Sequence, residues 1–113
     1  MSGALYTYFK ERKLELSEQE FEVYASFFVP KKIRKGAFLL RSGEVDKQVA
    51  FVVKGCLRLY TIDDKGKEHI LQFAPENWWI SDMDSFANGT PSSYFIDALE
   101  DSEVLLIDAT SQN

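Results

Sequence analysis

The 113-residue sequence contains few of the residues that build disulfides, metal sites or membrane spans. Cys56 is the only cysteine, so an internal disulfide cannot form, and His69 is the only histidine. No apolar run approaches the roughly 20 residues that span a bilayer. Residues 10–13 read Lys-Glu-Arg-Lys, where a signal peptide would need an apolar stretch. These absences predict a soluble, cytoplasmic protein with no membrane partner.

Positive charge is also scarce. Thirteen Lys and Arg residues stand against eighteen Asp and Glu, which gives a formal net charge of −5. Nucleic-acid backbones attract proteins that carry an extended positive field, and this chain has none across its whole surface. We therefore expect the isolated chain not to bind DNA. In contrast, 45% of the residues are hydrophobic, which is enough to build the core of one domain over residues 1–113.

A single helix is predicted near the N-terminus. Ser17 and Glu20 have the spacing of a capping box, so the helix is expected to begin near Ser17. Pro30 disfavours the helical conformation of the residue before it and is expected to close the segment. Between these limits, apolar residues recur at helical spacing and predict one face packed on the core: Phe21, Tyr24 or Ala25, and Phe28.

After Pro30 the pattern changes to short apolar segments separated by glycine-containing turns, which is typical of a mainly β, antiparallel barrel. The turn Asp63-Asp64-Lys65-Gly66 has residues that tolerate positive φ and predicts a hairpin. Strands are predicted at residues 37–40, 49–53, 57–62, 68–73, 93–98 and 103–107.

Catalysis has little support among these residues. A cupin-like metalloenzyme needs several imidazole or carboxylate ligands that converge on one ion, and His69 stands alone at a strand start. No glycine pattern of a nucleophile elbow surrounds any serine. We therefore expect no metal, no cofactor and no enzymatic activity, with His69 as an ordinary surface residue.

A set of short motifs agrees in order and spacing. It comprises Gly36, Ser42-Gly43-Glu44, the apolar strand 49–53 leading into Lys54-Gly55, and Lys65-Gly66-Lys67-Glu68 before a strand. From about residue 29 to 107 the chain resembles the cyclic-nucleotide-binding domain of Crp/Fnr-type bacterial transcription regulators. Residues 73–82 look most like a divergent branch of these regulators found in Bacteroidetes. The resemblance implies an antiparallel, jelly-roll-like β-roll with an N-terminal helix and a short cassette helix.

The resemblance also implies a ligand site. In the family, the short helix presents backbone N–H groups to a cyclic phosphate, an acidic side chain holds the ribose hydroxyl, and an arginine neutralises the phosphate. Here residues 81–87 fit the short helix. Asp82 stands at the position of the family's glutamate, and Ser92 stands at the position of its arginine. The positive partner of the phosphate is therefore missing.

Other positions in this cassette depart from the family as well. Ser81 replaces the usual glycine, and Asp82 and Asp84 place negative charge at the helix end that a phosphate would occupy. Ser93 alone matches a family serine. We therefore expect no ordinary cAMP or cGMP sensing. Two alternatives stay open: Asp82 and Asp84 act only as capping carboxylates, or another small molecule binds at Ser81, Asp82, Met83, Ser92 and Ser93.

Trp78 and Trp79 are adjacent, and successive strand residues face opposite sides. We expect one of the two rings to enter the barrel core and the other to face the cassette or a partner surface.

The resemblance finally implies what surrounds this domain in a regulator: a long dimer helix and then a helix-turn-helix domain that reads DNA. Only six residues follow Ile107, so the chain is expected to be a fragment of a longer, homodimeric regulator that binds DNA through a C-terminal domain. The implied function is a sensor domain for an unknown small-molecule effector, or for none. The alternatives are a ligand-free interaction or scaffold domain and, third, a cupin-like enzyme.

Overall fold

The computed structural model describes residues 17–108, which form two helices and eight strands in two four-stranded antiparallel sheets. The first sheet has the order β1-β8-β3-β6, and the second has the order β2-β7-β4-β5. The predicted antiparallel β-roll is confirmed. The elements are α1 (Glu18–Ala25), β1 (Phe28–Ile33), β2 (Phe38–Leu40), β3 (Gln48–Lys54), β4 (Leu57–Ile62), β5 (Glu68–Ala74), β6 (Trp79–Ile80), α2 (Met83–Asn88), β7 (Phe95–Ala98) and β8 (Ser102–Asp108).

Helix α1 begins as predicted and ends earlier than predicted. The Ser17 Oγ accepts from the Glu20 N–H at 3.1 Å, and the Glu20 Oε1 accepts from the Ser17 N–H at 3.2 Å, so the capping box is confirmed. The helix ends at Ala25, and both Phe28 and Pro30 lie in β1. Strand β1 is at the edge of its sheet, where a residue without an N–H is tolerated. The side chains of Phe21 and Tyr24 lie outside the described part of the chain.

The interior of the roll is a continuous apolar layer between the two sheets. Alternation along each strand places every second side chain in this layer, as the period of a β-strand requires. Ala50 and Val52 of β3 and Leu57 and Leu59 of β4 belong to it. The other members include Ile33, Leu40, Ala74, Ile80, Ile96, Ala98, Val104 and Leu106.

A second apolar cluster lies on the outer face of the first sheet, and we call it the outer cluster. It contains Ala25 of α1 together with Phe28, Phe51, Leu105 and Ile107 from the sheet. Trp79 packs against it, with its ring 4.9 Å from that of Phe51. Helix α1 therefore docks on the side of the sheet away from the roll interior.

The prediction that one tryptophan enters the barrel core was wrong. Trp79 is paired with Phe51 across the sheet and shares its outward face, so Ile80 rather than Trp79 occupies the roll interior. Trp78 is 54% exposed. The register between β3 and β6 decides this outcome, and register is a long-range property of the fold.

An ionic cluster covers part of the outer face of the second sheet. The Arg58 Nε donates to the Asp97 Oδ1 at 2.8 Å, and the Arg58 Nη1 donates to the Glu68 Oε1 at 2.9 Å. The guanidinium carbon of Arg58 lies 3.9 Å from the ring centre of Tyr60. The hydrogen bond to Asp97 is the main cause of a raised pKa at Arg58, so the guanidinium stays charged. This cluster joins β4, β5 and β7.

The turn from β3 to β4 packs directly against the start of β8. Gly55 has φ +96°, and a Cβ added there would lie 2.8 Å from the Cα of Ser102. The Ser102 Oγ accepts from the Cys56 N–H at 3.2 Å and donates to the Glu100 carbonyl at 2.8 Å. Only glycine combines this backbone conformation with so close an approach.

Replacing Gly55 by alanine is expected to destabilise the domain by roughly 2–5 kcal/mol, because the left-handed backbone costs about 1–2 kcal/mol without glycine and overpacking against Ser102 adds about 1–3 kcal/mol. Gly66→Ala is the matched control, since Gly66 has φ +81° and no atom within 4 Å of the added carbon. It should lose only the backbone contribution. Urea unfolding followed by tryptophan fluorescence measures both variants. Equal losses would contradict the close-packing role of Gly55.

Candidate functional site

The cassette is built on the short helix α2, which begins two residues later than the sequence predicted. Asp82 is its N-cap, with extended backbone, and the Asp82 Oδ1 accepts from the Ser85 N–H at 3.2 Å. The helix ends at Gly89, which has φ 69° and donates its N–H to the Ser85 carbonyl at 2.8 Å. Asp and Gly are preferred at these two positions because they satisfy the unpaired backbone groups of helix ends.

Asp82 and Ser92, predicted to stand at the family's glutamate and arginine positions, are in direct contact. The Ser92 Oγ donates to the Asp82 Oδ2 at 2.6 Å, and it accepts from the Tyr94 N–H at 3.0 Å. Both residues are buried, with 8% of Asp82 and 4% of Ser92 exposed. A short, neutral hydroxyl therefore satisfies the acidic side chain of the cassette.

Asp46 completes this arrangement, and the sequence analysis missed it. The Asp46 Oδ2 accepts from the Ser81 Oγ at 2.8 Å and from the Asp82 N–H at 2.7 Å. The backbone N–H of Asp46 donates in turn to the Ser85 Oγ at 2.8 Å, and the Ser85 hydroxyl donates to the Thr90 carbonyl. Asp46 lies in the loop before β3, far from α2 in sequence, and only its closeness to Ser42-Gly43-Glu44 could have drawn attention to it.

We call these five residues, Asp46, Ser81, Asp82, Ser85 and Ser92, the cassette network. Its two carboxylates are almost fully buried, and every described hydrogen bond to them comes from a neutral hydroxyl or a backbone N–H. Within residues 17–108, neither carboxylate forms an ion pair. No buried side-chain nitrogen or oxygen in that range lacks a hydrogen-bond partner. Donors within the protein therefore satisfy both buried carboxylates of the cassette.

The remaining predicted site residues do not join the cassette network. Met83 is 59% exposed at the start of α2. Ser93 is exposed, and its carbonyl accepts from the Thr61 hydroxyl at 3.3 Å. Asp84 is also exposed, and its carboxylate accepts from the Asn88 amide at 2.8 Å. It lies in the first turn of α2, and the N-cap is Asp82. The structure thus brings Ser81, Asp82 and Ser92 together and leaves Met83 and Ser93 at the surface.

His69 lies at the hairpin between β4 and β5. Its Nε2 is 2.8 Å from the Asp63 Oδ2, and both side chains are exposed. This hydrogen bond, followed by those from the backbone N–H groups of Lys67 and Lys65, holds the pKa of Asp63 below its usual range. In the described part of the chain, no three His, Cys, Asp or Glu side chains are grouped as metal ligands would be. None of the described helices has the length and apolarity to cross a membrane.

A family model described as the cyclic nucleotide-binding domain matches residues 30–112. This match covers most of the sequence, so the chain belongs to the cyclic nucleotide-binding domain family. The predicted resemblance is thereby confirmed, while the finer placement in a Bacteroidetes branch stays a prediction. A comparison with curated protein sequences found no significant match.

Solved structures share the fold at low sequence identity. The catabolite activator protein of Thermus thermophilus aligns with TM-score 0.77 and 21% identity, over 88% of this chain and 46% of that chain. The sensor domain of the transcriptional regulator DNR from Pseudomonas aeruginosa aligns with TM-score 0.78 and 19% identity, over 97% and 72%. A cAMP-bound structure of PfPKA-R aligns with TM-score 0.75 and 18% identity, over 85% and 34%. The chain thus spans less than half of the first and third of these proteins.

Ser92→Ala tests the buried hydrogen bond of the cassette network. The change leaves a carboxylate oxygen of Asp82 without its hydroxyl donor, and a buried polar group without a partner costs about 1–3 kcal/mol. Ser93→Ala is the matched control: the neighbouring serine is exposed, and such a change is expected to alter stability by less than about 0.5 kcal/mol. Urea unfolding measures both. Equal stability of the two variants would argue against a buried, satisfied cassette.

A second measurement concerns the pH dependence of the hairpin. Carbon-detected NMR should place the pKa of Asp63 below that of an unperturbed aspartate, and His69→Ala should raise it, because the largest cause of the depression is removed. A depressed carboxyl pKa stabilises the folded state above the unfolded-state pKa, and this contribution is lost as the pH falls through the folded-state pKa. His69→Gln, which keeps a neutral donor, is the control and should raise the pKa less. No difference between these variants would exclude His69 as the cause.

Proposed function

We propose that this chain is the regulatory sensor domain of a Crp/Fnr-like transcription regulator whose cassette no longer holds a cyclic nucleotide. The family assignment supports the regulatory role, since cyclic nucleotide-binding domains act by changing state with a ligand. The loss of cyclic-nucleotide binding is inferred from the cassette network. There, Asp46 and Asp82 accept hydrogen bonds from backbone N–H groups at the start of α2.

The first argument concerns hydrogen-bond donors. A cyclic phosphate in this cassette would be held by backbone N–H groups at the start of the short helix. Here the N–H of Asp82 is donated to Asp46, and the N–H of Ser85 is donated to Asp82. A phosphate that used these two donors would have to displace a buried carboxylate from each of them, and the displaced carboxylate would then lack partners.

The second argument concerns charge. Ser92 brings a hydroxyl where the family's arginine would neutralise the phosphate, and this hydroxyl already donates to Asp82. An anionic ligand would also lie beside the carboxylates of Asp46 and Asp82 in a buried setting, where like charges repel strongly. Loss of the cationic partner alone costs about 2–5 kcal/mol, which weakens binding by roughly thirty-fold to several-thousand-fold.

The effector of such a domain would be a molecule without a phosphate group, bound close to Met83 and Ser93 at the surface of the cassette. A second function is a ligand-free interaction or scaffold domain. It is favoured by one observation: each buried polar side-chain atom in the described range already has a hydrogen-bond partner, so none awaits a ligand. The domain can be titrated with a set of metabolites that lack phosphate and followed by NMR. Saturable chemical-shift changes at Met83 and Ser93 would favour the sensor function over the scaffold function.

The remaining parts of the proposal rest on the resemblance to Crp/Fnr regulators. DNA would be read by a separate domain, and the full protein would be a homodimer without enzymatic activity or a cofactor. Consistent with this, the chain aligns with 46% of the length of the Thermus thermophilus catabolite activator protein, so a relative of that kind has room for further domains.

Isothermal titration calorimetry with cAMP tests the cassette. We expect no saturable heat from the unmodified domain at about millimolar ligand, a limit that corresponds to roughly −4 kcal/mol of binding free energy. A variant with Asp46→Ala, Ser81→Gly and Ser92→Arg removes the competing carboxylate, opens the backbone and supplies the cation. We expect it to bind cAMP measurably.

The matched control carries Asp46→Ala, Ser81→Gly and Ser93→Arg, so it has the same net charge with the cation placed on an exposed neighbour. It should not bind. Circular dichroism verifies that each variant is folded. Micromolar cAMP binding by the unmodified domain would overturn the proposal. A folded Ser92→Arg variant that still ignores cAMP would show that charge and competition are not the cause.

A further inference from the structure

A groove with a positive lining lies on the outer face of the first sheet, and we call it the basic groove. It joins two depressions that share Lys32 and Glu103, and the cationic residues that line it are Lys31, Lys32, Arg34 and Lys54. The side chain of Lys31 lies on the opposite face of β1 from that of Lys32, because Lys31 pairs with the interior residue Val104. Two acidic residues, Asp101 and Glu103, line it as well, so without Lys31 the formal charge of the lining is three minus two, or +1. The chain as a whole carries −5. The lining of the groove is therefore positive, whereas the net charge of the chain is negative.

Strand register builds the groove. Glu103 of β8 pairs with Lys32 of β1 on one side and with Lys54 of β3 on the other, which places a carboxylate between two lysines in one row across the sheet. The adjacent lining is apolar and includes Pro30 and Val53. A segment lying between these two rows, perpendicular to the strands, would have charged side chains on one side and an apolar surface on the other.

The cations of the groove are not used within the described structure. All four are exposed, and across residues 17–108 none of them lies within 4.0 Å of a carboxylate in an ion pair. The contrast with Arg58 is direct, because Arg58 is bound by both Asp97 and Glu68. Cations without an ion-pair partner can interact with a ligand, and here Glu103 and Asp101 reduce the positive potential around them without pairing with them.

The groove is held in shape by the close packing described above. Gly55 lies against Ser102, and the Ser102 hydroxyl bonds to the Cys56 N–H, so the turn that carries Lys54 is fixed relative to β8. On the other side, the Asp101 carboxylate accepts from the Lys35 N–H at 2.9 Å and ties down the turn after β1. A preformed groove loses less conformational entropy when it binds.

We infer that the basic groove docks an extended, acidic segment of a partner protein in which acidic and apolar residues alternate. The carboxylates of the segment pair with Lys32 and Lys54, and its apolar side chains rest on Pro30 and Val53. Charge complementarity identifies this occupant. A nucleic-acid backbone fits less well, because Asp101 and Glu103 interrupt the positive lining and the adjacent surface is apolar. The inference does not depend on what the cassette binds.

Fluorescence anisotropy with a labelled hexapeptide that alternates glutamate and leucine tests this inference. The unmodified domain should bind the peptide saturably and more weakly as salt rises from about 0.05 M to about 0.3 M, where surface charges are screened. The variant Lys32→Glu with Lys54→Glu should lose affinity by about tenfold or more, because like charges then face the peptide. The variant Lys32→Gln with Lys54→Gln, which removes charge without reversing it, should lose less.

The matched control is Lys65→Glu with Lys67→Glu, which makes the same change in net charge at the β4–β5 hairpin, away from the groove lining. It should retain most of the affinity, and thermal melts confirm that all variants are folded. Absence of saturable peptide binding by the unmodified domain, or equal losses in the groove and hairpin variants, would overturn the inference. Tighter binding of duplex DNA or of phosphatidylserine vesicles, lost in the groove variants, would overturn it in favour of another occupant.

Discussion

The conformation of the cassette depends on the hydrogen bonds accepted by the buried carboxylate of Asp46. It accepts from the hydroxyl of Ser81 and from the backbone N–H of Asp82, so one side chain from the loop before β3 holds the segment between β6 and α2. Asp82 then caps the helix and accepts from Ser92, which fixes the chain where it leaves the cassette toward β7. A buried carboxylate is costly without partners, and here Asp46 has three donors and Asp82 has two. Removal of Asp46 would therefore release more than one contact.

The cassette and the groove use charge in opposite ways. In the cassette, the two carboxylates of Asp46 and Asp82 are buried, and hydroxyls and backbone N–H groups satisfy them. In the basic groove, cations are exposed and unpaired among the described residues, so the surface is open to an anion. The first arrangement stabilises the conformation of the cassette, and the second is the surface that we propose for recognition of a partner. The two lie on different parts of the roll because the cassette network joins the loop before β3 to α2, whereas the groove is built on β1, β3 and β8.

Local features were predictable from the sequence, and features set by register were not. The capping box of Ser17 and Glu20 and the hairpin at residues 63–66 depend on neighbouring residues, and both form. The start of β1 at Phe28, which was predicted to lie on the helix, and the outward face of Trp79 depend on which strands pair, so both were predicted wrongly. In the site, Asp82 and Ser92 were identified through the resemblance, but Asp46 was missed because 36 residues separate it from its partner Asp82.

Strand β1 also defines how the first sheet ends. It is an edge strand that carries Pro30 followed by Lys31 and Lys32, all three exposed. A proline removes one backbone donor from this edge strand, and adjacent ammonium groups repel the same strand of a second molecule. The acidic partner that we propose would meet the face of this strand, while the edge resists the strand-to-strand growth from which fibrils form. In this proposal, one short strand combines a face that binds a partner with an edge that resists aggregation.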